Sequence, residues 1–147
     1  MPIELIPIGV VKNSINSLNR TDITKVISEI KIYKKYKQAL DNIEDFSDII
    51  IVYWMDQLFH YERSVLQVHP QGRKDMPIVG VFACRSPARP NPLGVTRVKL
   101  LERSDIVLKV SGLDAINGTP VIDIKPFIPR TDLSEEIRLP DWIDKLS

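Results

Sequence analysis

The chain has 147 residues, 44% apolar and 27% charged, enough for one domain with a real hydrophobic core. Twenty Lys and Arg against nineteen Asp and Glu leave a formal charge of +1. That balance argues against a grip on long nucleic acid by phosphate neutralisation alone, but not against a small RNA site fed by a local basic patch.

No apolar run reaches the roughly 20 residues that span a bilayer, and MPIELIPIGV has no basic n-region of a signal peptide. The single cysteine, Cys84, allows neither an intrachain disulfide nor a cysteine-based zinc cluster, so the expected location is cytoplasmic.

Taken in chain order, IELIPIGVV (Ile3 to Val11) reads as a first strand, with Pro7 placing it at an edge or bend. KNSINSLNRTD follows as a loop, and VISEIKI (Val26 to Ile32) alternates cleanly as a second strand. The apolar positions Tyr33, Tyr36, Leu40 and Ile43 then fall three or four apart, which predicts a short amphipathic helix within Tyr33 to Phe46. DIIIVYWM (Asp48 to Met55) is β-branched and aromatic throughout, as expected of a buried central strand.

A long loop follows, up to IVGVFAC (Ile78 to Cys84), which reads as a strand. Gly94 to Glu102 and Asp105 to Gly112 flank Arg103 and Ser104 as a β-hairpin. NGT (117–119) is a turn before the strand PVIDIKPF. With strands following one another and helices absent from the C-terminal half, the expected fold is mainly β. It is a small antiparallel barrel of six or seven strands with one short helix and a long loop. The whole of 1–147 is expected to be a single such domain, its tail (133–147) wrapping the surface.

RSPARPNPLG (Arg85 to Gly94) carries three prolines, which rule out a helix and make a stiff, extended loop. Arg85 and Arg89 can fork onto a carboxylate or phosphate, and Asn91 can read a donor–acceptor edge. Equally, the arginines can bind backbone carbonyls and brace the loop. Asp114 follows a strand end and is a candidate partner for a ribose hydroxyl or an amine. Asp123 and Lys125 share one strand face, more in the manner of a salt bridge than of a catalytic pair.

His60 and His69 have no third imidazole and no metal-binding spacing, so no metal is expected. Lys31, Lys34, Lys35 and Lys37 cluster near the helix start, as a solvated face or an RNA patch. Cys84 reads as a small buried packing residue. No GxGxxG, P-loop or GxSxG motif is present.

The stretches GVFACRSPARPNPLGVTRVKLL and GLDAINGTPVIDIKPFIP strongly resemble the TsaA-like, or TrmO-type, family, whose pattern is GVFATRSPxRPNPIGLS and then GLDxxDGTPVLDIKPYxP. IPIGVV and LDNIEDFSDIIIVYWM are also similar to the family's opening strand and its LxGLExFSHIW segment, so the resemblance runs from about Ile6 to Asp132.

It implies a homodimeric antiparallel barrel that binds S-adenosylmethionine near the interface and methylates N6 of threonylcarbamoyladenosine beside the tRNA anticodon. Carried over by position, Arg85 is the foremost cofactor contact and Val95 lines the pocket, while Gly112, Leu113 and Asp114 cradle the ligand. Asp56 and Gln57 fall on the family's His-Gln pair, and Arg20 is what remains of a Pro-Arg-Gln motif. Arg89 and Asn91 stand as loop support.

Asp48 replaces the histidine of FSH, Cys84 a threonine, and Asn117 the aspartate of DGTPV. The small C-terminal domain of bacterial members has no counterpart here. The candidate general bases are Asp114 and Asp56. The alternatives are methyl transfer to a small metabolite and a non-catalytic S-adenosylmethionine-binding module.

Overall fold

The computed structural model describes residues 1–15, 23–57 and 60–146. The chain divides into two compact units, Met1–Asp56 with Leu93–Phe127, and Gln57–Pro92 with Ile128–Ser147.

The first unit is a closed antiparallel barrel of six strands. These are β1 (Gly9–Lys12), β2 (Ile27–Ile32), β3 (Asp48–Trp54), β6 (Leu93–Ser104), β7 (Val107–Ser111) and β8 (Pro120–Pro126). Two short strands, β4 (Gln67–Val68) and β5 (Val79–Gly80), belong to the other unit. Around the barrel the order is β1-β2-β7-β6-β3-β8, with β8 closing on β1.

Closure follows from alternation. In β2 the residues Ser28, Ile30 and Ile32 turn inward while Ile27, Glu29 and Lys31 face out. In β3 the inward set is Ile49, Ile51 and Tyr53, and the outward Ile50, Val52 and Trp54 are half-buried. β3 pairs with β6 on one side and β8 on the other. Val11, Leu108, Val110, Leu113 and Val121 complete the core, each fully buried.

The mainly β barrel matches the sequence expectation, and its differences are local. The first strand begins only at Gly9, and Met1 to Pro7 are exposed. The short helix is a 3-10 helix, Lys34–Leu40, with Leu40 buried and Tyr36 packed on the core. Asn42, at φ 70°, separates it from a second turn at Ile43–Asp45.

The hairpin turn sits two residues later than expected, at Asp105 and Ile106, with Asp105 at φ 56°. Arg103 is retained in β6 because its guanidinium donates to the Leu40 carbonyl and pairs with Glu44, and Ile106 is buried. The same Glu44 carboxyl lies below its ordinary pKa range, first through a backbone hydrogen bond and then through Arg103.

In the second unit β4 and β5 form a two-stranded antiparallel sheet. The strand expected over Ile78 to Cys84 is reduced to Val79–Gly80 and followed by a 3-10 turn, Val81–Ala83. The reason is visible in the hydrogen bonds. Arg89 takes the carbonyls of Val81 and Cys84, the acceptors a longer ladder would need. Phe82 faces solvent, and Cys84 is half-buried with its thiol directed to the Val81 carbonyl. Pro70, Met76 and Val81 are buried, and His69 Nδ1 lies 2.8 Å from the Met76 carbonyl. A single α-helical turn, α1 (Pro129–Asp132), and a 3-10 helix at Asp141–Lys145 belong to this unit, where Arg73 donates to the Lys145 carbonyl.

Among the described residues no helix is long and apolar enough to cross a membrane, and no His, Cys, Asp and Glu group could hold a metal ion.

Candidate functional site

The proline loop lies in the second unit. From Arg85 to Pro92 it has neither helix nor strand, as three prolines in six residues dictate. Its shape is held by side chains. Arg89 donates from Nη1 and Nη2 to the Cys84 carbonyl at 3.3 Å, and also to Val81. Arg63 Nε donates to the Pro90 carbonyl at 2.8 Å, and Arg63 Nη2 approaches Asn91 Oδ1 at 3.5 Å. The Ala88 amide donates to Ser86 Oγ at 3.2 Å. Arg85 is different: it is exposed, and its guanidinium has no hydrogen-bond or ion-pair partner among the described residues. A rigid loop therefore presents a free, permanently charged fork suited to a carboxylate.

The barrel contributes the Gly112 to Gly118 loop between β7 and β8. Gly112 turns the chain at φ 93°, a conformation L side chains rarely adopt, and its amide donates to the Val26 carbonyl at 3.0 Å. Leu113 is then buried, and the next side chain, Asp114, is exposed. The Asp114 carbonyl accepts from Tyr53 Oη at 2.7 Å, and that hydroxyl also lies 2.9 Å from Thr96 Oγ1.

Asn13, just past β1, clasps the same loop. Its Nδ2 donates to the Ala115 carbonyl at 2.9 Å and to Ser28 Oγ at 3.0 Å, and its amide donates to Asn117 Oδ1 at 3.0 Å. An aspartate at 117 would offer the same accepting oxygen, so the Asn in place of the family's Asp keeps this bond. Val95, on β6, is 56% exposed. Its neighbour Gly94 lies so close to Tyr53 that an added Cβ would come within 2.3 Å of the ring.

Asp56 and Gln57, both exposed, follow the end of β3, where the Asp56 amide donates to the Trp54 carbonyl at 2.9 Å. Asp48 begins the same strand, six residues before Trp54, or about 20 Å along an extended chain. Its nearly buried carboxylate accepts from Lys99 Nζ at 2.8 Å, Ser47 Oγ at 2.7 Å and Arg97 Nε at 3.0 Å. Those bonds, led by Lys99 and Ser47, hold its pKa down at about 2 against the cost of burial. Arg97 also stacks over Phe127, 3.7 Å from the ring centre. Asp123 and Lys125 form an exposed salt bridge at 3.3 Å. Arg20 lies outside the described residues.

Tyr53, Asn13 and Arg63 had no motif to mark them. Tyr53 reads as one more aromatic in an apolar run, and Asn13 as loop filler, because their partners lie 61 and 102 residues away.

Comparison with known proteins gives this scaffold a class. A solved structure described as TrmO superposes with a TM-score of 0.76 at 27% identity, covering 95% of this chain and 64% of that one. The six-stranded barrel is thus similar in fold to that structure, and the class is that of S-adenosylmethionine-dependent methyltransferases. The model of the tRNA-methyltransferase O N-terminal domain matches residues 18–133, and the chain belongs to the TrmO family.

A relative from Methanothermobacter thermautotrophicus, named a probable S-adenosyl-L-methionine-binding protein, is 43% identical over 90% of this chain and 95% of its own length. The human protein named tRNA (adenine(37)-N6)-methyltransferase is 34% identical over 91% of this chain, which spans 32% of that protein.

In the barrel unit Asp114 offers an exposed carboxylate and Val95 an exposed apolar side chain, and in the other unit Arg85 offers an exposed guanidinium, groups of the kind that take an ammonium, a ring face and a carboxylate. The amide of exposed Asp114 has no acceptor among the described residues.

Proposed function

We propose that this chain transfers the methyl group of S-adenosylmethionine to N6 of threonylcarbamoyladenosine in tRNA, beside the anticodon. The family match over residues 18–133, with the unpartnered Arg85 and the pinned Asp114 loop, supports this reading. When bound, S-adenosylmethionine supplies an electrophilic methyl carbon on a sulfonium.

The chain's residues hold and orient. Arg85 takes the cofactor carboxylate, Gly112, Leu113 and Asp114 the nucleoside or amino-acid end, and Val95 excludes water, with Asp56, Gln57 and Arg20 as further contacts. Arg89 and Asn91 support the loop. N6 is flanked by a urea carbonyl, so its proton is more acidic than that of a free exocyclic amine and asks only a modest base, for which Asp114 and Asp56 are the candidates. Preorganised placement of the reacting atoms supplies much of the rate. The working form is a cytoplasmic homodimer.

The test is transfer of labelled methyl from the cofactor to threonylcarbamoyl-containing tRNA, read by nucleoside mass spectrometry. Product at N6 supports the assignment, and label appearing only on small molecules of a cell extract overturns it. A non-catalytic S-adenosylmethionine-binding module is the second reading. It is favoured by the archaeal relative of matching length, whose name states binding alone. Calorimetric cofactor binding with no acceptor in any extract fraction would select it.

A further inference from the structure

A cavity of about 310 Å³ opens in the barrel unit between the 3-10 segment Lys34–Asp45 and β8, apart from the Gly112 loop and Val95. Its wall is aromatic and aliphatic, with Tyr36, Phe46 and Ile124, and its polar groups are Asp41, Asn42, Asp123 and Lys125. None of these side chains has a role in the cofactor site proposed above. The volume is at the small end of the roughly 300–1,000 Å³ of ligand pockets, which suits one nucleoside better than a peptide or a helix.

The pocket is also held open. Arg103 fixes the covering segment through the Leu40 carbonyl and Glu44, and Lys37 pairs with Asp105 at 2.7 Å. Lys34 and Lys35 precede Tyr36 on the covering segment: Lys35 lies 5.1 Å from the Tyr36 ring centre, and neither lysine has an ion-pair partner among the described residues.

The geometry points to a subsite for one unstacked base of single-stranded RNA. Aromatic walls offer stacking surface, the Asn42 amide offers a donor and an acceptor, and Asp123 can accept from an exocyclic amine or ribose hydroxyl. Lys35, next to Tyr36 and without an acidic partner among the described residues, offers a cation to a flanking phosphate. The inference rests on RNA being the substrate, and adds a base-holding site that the methyl-transfer reading does not require.

Adenosine 5′-monophosphate, titrated into the intact protein, is the probe. Amide and methyl NMR shifts are expected to concentrate at Ile43, Phe46 and Ile124. Phe46→Ala should weaken binding about tenfold, as removal of one stacking partner does. Phe46→Leu, which keeps the apolar volume, guards against loss of fold and should still weaken binding with an unchanged melting temperature.

Equal affinity for ribose 5-phosphate, or shifts confined to other residues, would overturn the assignment. So would unaltered binding by a folded Phe46→Ala protein. In methyl-transfer assays Phe46→Ala should raise KM for tRNA by more than it lowers kcat, with cofactor affinity retained. If the wild type transfers no methyl to tRNA, the functional reading fails while nucleotide binding at this cavity is judged on its own.

Discussion

Arg85 and Arg89 stand four residues apart in one stiff loop, and their surroundings separate their roles. Arg89 is occupied by two backbone carbonyls, whereas Arg85 is exposed with no partner among the described residues. Arg85→Ala is therefore expected to reduce S-adenosylmethionine affinity at least tenfold while shifting stability by less than about 0.5 kcal/mol, as exposed substitutions do. Calorimetry and a thermal melt check both halves.

Asp48 makes the opposite prediction. Its folded pKa of about 2 lies below its ordinary value of 3.8, so it stabilises the fold above pH 3.8 and loses that contribution as pH falls towards 2. With partners that face solvent, the contribution is on the order of 1–2 kcal/mol. Asp48→Asn should lower stability by that amount at pH 7 and converge with the wild type near pH 2, measured by denaturant unfolding. Residue type and motif were legible here from the chain alone, but not occupancy. Nothing local tells that Arg89 faces carbonyls and Arg85 does not, because those acceptors become available only when the expected strand stops at Gly80.

The barrel strands were legible because alternation is a local property, and VISEIKI or DIIIVYWM shows it over a whole strand. Their ends were not, since a strand stops where its partner stops. Pro7 precedes the first ladder residue, and Arg103 holds β6 for two residues beyond the expected turn. The contact joining strand to loop is also long-range. Tyr53 of β3 passes over Gly94 of β6 to bond the Asp114 carbonyl.

Gly94→Ala would drive a methyl into the Tyr53 ring, at a cost of about 1–3 kcal/mol for overpacking, and would move the Asp114 loop with it. Tyr53→Phe is the gentler cut. It keeps the ring and removes the donor, costing about 1 kcal/mol, with the Asp114 carbonyl left unpaired. If the loop serves the site, Tyr53→Phe should lower methyl transfer several-fold with an intact melt, and Thr96→Val should do less, since Tyr53 keeps its bond to Asp114. Equal activity in all three proteins would make the clasp purely architectural.

At the scale of the whole molecule part of the positive charge is neutralised from within. Arg97 and Lys99 pair with Asp48, Arg103 with Glu44, Lys37 with Asp105, Lys125 with Asp123, and Arg73 with Asp75. Among the described basic residues, those near the 3-10 helix without an acidic partner are Lys31, Lys34 and Lys35. A formal charge of +1 leaves no large excess of cations, and those without an acidic partner near the 3-10 helix are few.

Each phosphate contact adds about 0.7–0.9 to the slope of log affinity against log salt. Two or three contacts set the expected slope for tRNA at a magnitude below about 3, well short of proteins that bind nucleic acid by charge alone. Lys34→Ala with Lys35→Ala should flatten it by about one to two. Filter binding between 50 and 200 mM salt measures both values, at about the range over which such slopes resolve. A steep slope would mean that basic residues outside this cluster hold the RNA. A shallow slope with retained affinity would place the binding energy in base contacts, the kind of contact an aromatic cavity beside Lys35 can make.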